Sequence, residues 1–262
     1  MSDYDSYLSG YRDLSTEAGY YTACEFLAYK EGRWAKYGSY VEEVEKAIYE
    51  TTKRLKKTKL NMADISCGTI AFLPRHFSKY ANSILCVDSS NVALKQVAAT
   101  YPGVKVINDD TRSLRKVKSL NKRFDFIYLG FNAHPEYIKN LEEIALTQAG
   151  IFIMKSKAGD DLYLRTLLGS YDMAKRYKEI NTITSEVNSG FSAHYLEKKF
   201  LWKFVDEDID RVLAALSVVG LKNKGALSQH QYNIGRDFLS IRSKGNSLEL
   251  SQILSIWKAI KS

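Results

Sequence analysis

The chain has 262 residues, of which 45% are hydrophobic, and 38 Lys and Arg against 30 Asp and Glu give it a formal net charge of +8. This length can bury one full α/β core but is short for two independent cores. An apolar run such as residues 150–154 is far too short for a membrane helix, and residues 1–10 lack the basic-then-apolar layout of a signal peptide, so we expect a cytoplasmic protein without a membrane partner. The three cysteines form no CxxC pair, which argues against a zinc site or a disulfide framework.

The N-terminal part of the chain is predicted to be helical. Over residues 15–58, apolar side chains recur at a spacing of three or four, which places them on one face of a helix. Eight of the 18 tyrosines lie within residues 4–40, and each tyrosine joins an apolar ring to a polar tip. We therefore expect residues 1–58 to form a helical cap segment, whose tyrosines either cover a pocket of mixed polarity or pack against a domain face.

From residue 60 the pattern changes to short apolar runs that alternate with segments able to form helices. This alternation predicts βαβ units and a parallel, doubly wound α/β sheet. Such a sheet binds its ligand beyond the carboxyl ends of its strands. The five predicted strands are residues 60–64, 83–88, 104–108, 124–129 and 150–154.

The C-terminal part departs from this alternation. After a largely polar stretch over residues 158–192, the sequence predicts a strand over 194–204, a helix over 206–219 that begins at Asp206, and a strand over 232–242. Two strands separated by a helix after a five-strand α/β unit resemble the antiparallel final pair that ends methyltransferase sheets, and this resemblance implies a seven-stranded, mostly parallel sheet whose last strand is antiparallel. It would form a Rossmann-like domain over residues 59–262, in which the stretch over 158–192 is an insertion that could act as a lid.

Small and acidic residues follow the first three predicted strands. Ser66 and Gly68 lie in the turn after the first strand, where small residues let backbone N–H groups approach a polar ligand. Asp88 ends the second strand about 20 residues later, where a carboxylate can accept both hydroxyls of a ribose. After the third strand, Asp110 and the backbone of Thr111 could contact an adenine amino group.

Together, and in this order and spacing, the acidic first strand, the turn and the acidic ends of strands two and three resemble the S-adenosylmethionine site of class I methyltransferases. The resemblance covers about residues 60–155. In that family an acidic residue is followed by three glycines at alternate positions, and here Ser66 and Ile70 stand at the first and third of these positions. The resemblance implies S-adenosylmethionine as the cofactor, bound by Asp64 near the methionine amino group, Ser66 and Gly68 in the turn, Asp88 on the ribose, and Asp110 with Thr111 on the adenine.

In this family the methyl acceptor meets the cofactor past the fourth strand, here residues 130–137. His134 lies in this segment and could take a proton from an acceptor hydroxyl or amine, since imidazole titrates near neutral pH. Alternatively, Asn132 or His134 only caps the helix that begins near Pro135. The segment lacks the Asn-Pro-Pro-Tyr type of string found in DNA and some protein amide methyltransferases, which argues against a planar nitrogen acceptor. His134 is therefore the candidate catalytic residue.

The sequence thus predicts an S-adenosylmethionine-dependent methyltransferase that acts on a small or medium-sized molecule. An RNA or protein methyltransferase is an alternative, favoured by the net charge and by basic stretches over residues 53–59 and 112–123. The first stretch is also typical of a solvated helix end, where the helix dipole favours cations. Ser66 and Ile70 favour a non-catalytic cofactor-binding or regulatory protein. A dinucleotide-binding dehydrogenase is a further alternative, but it leaves the acidic residues Asp64 and Asp110 unexplained.

Overall fold

The computed structural model describes residues 2–29, 38–131, 133–169, 172–205, 209–220 and 225–262. Within these ranges, no helix is both long and apolar enough to cross a membrane. The chain forms two compact units. The helical unit comprises residues 1–38, 157–176 and 199–253, and the sheet unit comprises residues 39–156, 177–198 and 254–262.

Five parallel strands form the centre of the sheet unit: β1 (Leu60–Ile65), β2 (Ala81–Asp88), β3 (Lys105–Asn108), β4 (Phe124–Leu129) and β5 (Ala145–Gly159). They lie in the order β3-β2-β1-β4-β5, and all four neighbouring pairs are parallel. β4 is buried along its whole length, as expected for a central strand that is covered on both faces. Each of the five predicted strands is confirmed.

Beyond β5 the sheet includes an antiparallel strand near the end of the described chain. β6 (Ser192–Val205), the two-residue β7 (Ser243–Lys244) and β8 (Ser247–Ile260) complete it, and the strand order continues from β5 to β8 to β6. Gln148, near the start of β5, donates its N–H to the carbonyl of Lys261, and Lys261 donates to the carbonyl of Ala149. The end of β8 therefore lies beside the start of β5. The predicted antiparallel last strand is confirmed, in a sheet of eight strands rather than seven.

The sheet unit contains α3 (Gly38–Leu55), α4 (Phe72–Phe77), α5 (Asn91–Thr100), α6 (Arg115–Ser119), α7 (Pro135–Ile144) and the larger part of α9 (Met173–Gly190). α9 buries Ile180, Ile183 and Val187, whose spacing of three and four puts them on one helix face. They share a hydrophobic cluster with apolar residues of α7 and with Trp257 of β8. Part of the predicted insertion thus packs into the core, and its action as a lid stays a prediction.

The helical unit has its own core. Its helices are α1 (Asp3–Leu14), α2 (Glu17–Tyr29), α8 (Asp160–Leu167), α10 (Ile209–Gly220) and α11 (Gln229–Ser240). α10 contacts α1 and α2, and its residues 212–216 are all buried. The rings of Tyr4, Tyr7 and Tyr232 contact one another, and the Tyr7 hydroxyl oxygen accepts a backbone N–H at 2.9 Å. These tyrosines therefore pack inside the unit, whereas Tyr37 of the same cluster lies outside the described residues.

The prediction for the C-terminal part was wrong in one element. Residues 232–242, predicted as a strand, lie mostly in α11, and the final strand is β8. α11 begins with a capping box in which Ser228 and Gln231 each accept the other's backbone N–H, an arrangement that favours a helix start. The helix predicted over 206–219 is α10, and Asp206 lies outside the described residues. The predicted division into residues 1–58 and 59–262 stays a prediction, although α3 belongs to the sheet unit.

Candidate cofactor and acceptor site

The turn between β1 and α4 contains three residues with left-handed backbone. Ser66, Gly68 and Ala71 have φ values of 58°, 55° and 43°. This conformation costs a residue other than glycine about 1–2 kcal/mol, because its Cβ crowds the backbone. Ile70 is not among the residues with positive φ, and its side chain is partly exposed. The turn therefore keeps three left-handed positions, but the third lies at Ala71 rather than at the position where the family has its third glycine.

The carboxylate of Asp88 fixes this turn to the end of β2. Its Oδ2 accepts the N–H of Gly68 at 2.9 Å, and its Oδ1 accepts the N–H of Ser90 at 2.9 Å. The N–H of Cys67 donates to the carbonyl of Val87 at 3.1 Å. Since each carboxylate oxygen can accept more than one hydrogen bond, Asp88 retains acceptor capacity beside the turn.

Asp64 is buried beneath the same turn. Its Oδ2 accepts the N–H of Leu73 at 2.9 Å, which helps to hold the start of α4. Burial raises the pKa of Asp64 from 3.8 to about 7, an effect that the hydrogen bond to Leu73 opposes and the charge of Asp88 increases. Among the described residues, neither Oδ1 of Asp64 nor Oγ1 of Thr69 finds a hydrogen-bond partner, and both atoms are buried. An unsatisfied buried polar atom costs about 1–3 kcal/mol, so each of these two atoms is suited to a ligand that donates a hydrogen bond to it.

The two aspartates after β3 have different surroundings. Asp109 is buried, and its Oδ2 accepts two backbone N–H groups at the start of α6, at 2.8 and 3.0 Å. Asp110 is exposed, and its Oδ1 accepts the backbone N–H of Arg112 at 2.9 Å. This bond and the neighbouring guanidinium, whose Nε lies 3.2 Å away, hold the pKa of Asp110 below its ordinary value. Asp110 therefore presents its carboxylate to solvent, next to the buried Thr111, whereas Asp109 serves α6.

The sheet register brings these acidic residues to one edge. Ile65 pairs with Val87, and Asp88 pairs with Asn108, so the carboxyl ends of β1, β2 and β3 are adjacent. Asp64, Asp88 and the Asp110 loop consequently follow one another along the carboxyl edge of the sheet. The sequence-predicted cofactor residues are thus brought together in space, as the strand assignment required.

His134 follows β4 at the same edge. It occupies the N-cap position of α7, yet its side chain makes no capping hydrogen bond. Instead, its Nε2 lies 3.1 Å from Oε1 of Glu179 in α9, and its side chain is 49% exposed. A carboxylate that accepts from Nε2 leaves Nδ1 available as a proton acceptor when the ring is neutral. Asn132, the other predicted cap, lies outside the described residues.

Lys155 completes this arrangement from β5. Its side chain is only 5% exposed; its Nζ donates to the carbonyl of Ala133 and lies 3.1 Å from the same Glu179 oxygen that His134 approaches. Sequence reasoning identified neither Lys155 nor Glu179. Lys155 directly follows the apolar run over residues 150–154, so the sequence places a lysine at the end of a buried strand. Because a lysine is seldom buried unless it is paired, this position could have indicated a carboxylate partner. Glu179 lies in a polar helical segment that offered no comparable signal.

The described part of the chain contains no group of three or more His, Cys, Asp and Glu side chains arranged to hold a metal ion.

Solved structures share this fold. One is a candidate methyltransferase from Bacillus halodurans C-125, with 12% identity, a TM-score of 0.50, and coverage of 80% of this chain and 97% of that one. Another is the YcgJ protein from Bacillus subtilis, with 11% identity, a TM-score of 0.52, and coverage of 83% and 98%. Neither a protein-family model nor a curated protein matches the sequence. The resemblance to class I methyltransferases is therefore confirmed at the level of the Rossmann-like fold.

Proposed function

We propose that the protein is an S-adenosylmethionine-dependent methyltransferase that acts on a small or medium-sized molecule. The observation that carries the proposal is the row of carboxylates at the carboxyl edge, where Asp64, Asp88 and Asp110 stand at or just after the ends of three adjacent strands, beside a turn with left-handed residues. Three separated acceptors match a ligand with three hydrogen-bond donor groups, as S-adenosylmethionine has in its ammonium, ribose and adenine groups. The fold shared with a candidate methyltransferase supports the same assignment.

Each carboxylate suits one part of this cofactor. The buried Oδ1 of Asp64 and Oγ1 of Thr69 would accept from the ammonium group, which would satisfy both atoms. Asp88 would accept from the ribose hydroxyls while it continues to hold the turn at Gly68. Asp110, with the backbone N–H of Thr111, would hold the adenine. Bound there, the cofactor would supply a sulfonium methyl group that is open to in-line displacement.

The departure of the turn from the family's glycine pattern is compatible with binding. Ser66 adopts the left-handed backbone that the first glycine would take, and Ala71 takes the third such position, so Ile70 does not have to adopt it. The alternative of a non-catalytic binding protein predicts cofactor binding without methyl transfer, so an assay of methyl transfer from S-adenosylmethionine separates it from the enzyme.

Residues on the acceptor side suit an acceptor atom that loses a proton. His134 is half exposed at the end of β4, and Glu179 would orient it so that Nδ1 receives the proton of an acceptor hydroxyl or amine. Lys155 would hold Glu179 in place. Positioning of the acceptor and the methyl group provides much of the acceleration in such a displacement. Proton transfer to His134 would therefore add to the effect of positioning rather than replace it.

Calorimetric titration with S-adenosylhomocysteine tests the proposal. We expect saturable binding to the wild type and a loss of affinity of roughly 10- to 100-fold for Asp88→Asn, which weakens a charged acceptor of two hydroxyls. Asp109→Asn is the matched control, because Asp109 is also a buried strand-end carboxylate that accepts two backbone N–H groups but serves α6. It should change stability and leave the affinity unaltered. Absence of binding to the folded wild type would refute the proposal, and equal losses in both variants would remove Asp88 from the site.

A further inference from the structure

The opposite, amino edge of the sheet collects positive charge from three separate parts of the sequence. The connections that enter β1, β3 and β4 all lie at this edge, because the three strands are parallel, and only β2 separates β3 from β1 in the sheet. Each connection carries exposed Lys or Arg side chains. We call these residues the amino-edge patch: Lys56, Lys59, Lys105, Lys122 and Arg123.

Acidic side chains do not neutralise the amino-edge patch. Over residues 56–61, 101–105 and 120–125 the sequence contains one acid, Asp125. That carboxylate is buried, pairs with Lys57 at 2.7 Å and accepts the N–H of Asn61 at 2.8 Å. In the described part of the chain, no member of the amino-edge patch lies within ion-pair distance of a carboxylate. The five cations therefore give this edge an excess of positive charge. At the connection into β2, which lies between those into β3 and β1, Lys79 is paired with Glu45 at 3.0 Å.

The patch has definite borders and contains aromatic rings. At the connection into β5, Glu142 and Glu143 bring negative charge, and Glu143 pairs with Lys118 at 2.8 Å. Beside the patch, Tyr101 precedes β3 and Tyr80 precedes β2, and both rings are partly exposed. The Tyr80 hydroxyl donates to Glu45 at 2.6 Å and Lys79 lies over its ring, so Tyr101 is the ring better placed to stack with a base. Cations that alternate with aromatic rings are typical of surfaces that hold single-stranded nucleic acid, whose phosphates meet the cations and whose bases stack on the rings.

We infer that the amino-edge patch binds single-stranded RNA through its phosphate backbone. An anionic membrane suits the patch less well, because the strength of membrane binding grows with inserted apolar area as well as with charge, and Leu120 is the one large apolar residue of these connections that is clearly exposed, at 40%. A nucleic-acid ligand needs no such insertion.

The RNA bound here is a docking partner and not the methyl acceptor. The six residues of β1 separate the amino edge from the turn that holds the candidate cofactor site, a distance of roughly 20 Å at about 3.3 Å per residue. A substitution can therefore abolish RNA binding without changing cofactor binding, and the reverse. The inference stands apart from the proposed function.

Fluorescence anisotropy with a short labelled single-stranded RNA, measured over a range of salt concentrations, tests the inference. Five phosphate contacts predict that the logarithm of the binding constant falls with the logarithm of salt concentration at a slope of about −3.5. In the triple variant Lys59→Gln, Lys122→Gln and Arg123→Gln, we expect this slope to become shallower by about 2, because three contacts are lost.

The matched control is the triple variant Lys95→Gln, Lys199→Gln and Lys244→Gln, which removes the same charge at exposed positions outside the patch. It should keep the wild-type slope, and both triple variants should bind S-adenosylhomocysteine as the wild type does. Absence of RNA binding at low salt, or equal losses in both variants, would overturn the inference. Tighter binding to phosphatidylglycerol vesicles than to RNA, lost in the patch variant alone, would overturn it in favour of a membrane surface.

Discussion

The left-handed positions of the turn after β1 predict how glycine substitutions change stability. Ser66 has a φ of 58°, and relief of this conformation by Ser66→Gly should return about 1–2 kcal/mol. The greater freedom of glycine in the unfolded chain takes back about 0.5–1 kcal/mol. Because the Ser66 side chain is only partly buried, little packing is lost. The net expectation is a gain of about 0.5–1 kcal/mol in the free energy of unfolding.

The same reasoning gives different results at the two neighbouring positions. Ile70 does not have a left-handed backbone, so glycine relieves no strain there. Ile70→Gly should lower the free energy of unfolding by about 1–3 kcal/mol, because glycine is more flexible in the unfolded chain and part of the apolar burial is lost. Ala71→Gly relieves a φ of 43° but removes a fully buried methyl group, worth about 0.8 kcal/mol. Its net change should therefore be close to zero. The expected order of stability is Ser66→Gly, then Ala71→Gly, then Ile70→Gly.

Urea unfolding followed by far-ultraviolet circular dichroism measures this order, provided that the dependence of the free energy on urea is the same in all variants. Gly68→Ala is the control in the opposite direction, because alanine at a φ of 55° should cost about 1 kcal/mol or more. A stabilising Ile70→Gly together with a destabilising Ser66→Gly would refute the reasoning. It would mean that the third left-handed position lies at residue 70, as in the family pattern.

Two further predictions concern buried charges. Burial raises the pKa of Asp64 to about 7 in the folded protein, so the folded state binds a proton there more tightly than the unfolded state does. This difference stabilises the fold at low pH, and the stabilisation is lost as the pH rises from about 4 to 7. Urea unfolding at both ends of this range should show the loss in the wild type but not in Asp64→Asn, and an equal pH dependence in both would contradict the prediction. Glu179→Gln leaves the buried Lys155 without its carboxylate and should cost about 1–3 kcal/mol, less than a fully buried pair because Glu179 is partly exposed. Glu186→Gln on the same helix is the matched control, because its partner Lys139 is exposed and 3.9 Å away. The free energy of unfolding should fall by less than about 0.5 kcal/mol in this control. Equal losses in the two variants would count against the role of Glu179.

Much of the sheet and of the acidic residues at its carboxyl edge could be predicted from the sequence because both depend on local patterns. Buried parallel strands require nearly continuous apolar runs, and these mark β1 to β5. The acidic residues Asp64, Asp88 and Asp110 stand at or just after the ends of those runs, so the rule that parallel strands end at one edge was enough to bring them together.

The error at residues 232–242 also has a local origin. Short apolar runs fit a strand or a helix equally well, and length and flanking residues must decide between them. The deciding signal was the capping box of Ser228 and Gln231, which precedes the segment and begins α11. Had this capping box been recognised, the sequence would have predicted a helix here and placed the last strand after it, where β8 lies.

Other features were decided by tertiary structure alone. Which residues of the turn adopt left-handed backbone depends on how Asp88 and Asp64 hold its two ends, and a glycine pattern cannot report this when Ser66 and Ala71 take the strained positions. Glu179 approaches His134 because α9 packs against this part of the sheet unit. The buried residues of α9 recur at helical spacing, but this spacing does not specify which face of a sheet the helix covers.

The amino-edge patch likewise required the strand order, because Lys59, Lys105 and Lys122 belong to connections that are far apart in sequence and become neighbours only in the order β3-β2-β1-β4. Hydrophobic period and turn chemistry are properties of short segments, and the sequence by itself determined the elements that they specify. Contacts between distant segments depend on the packing of the whole sheet, and for this reason only the tertiary structure decided them.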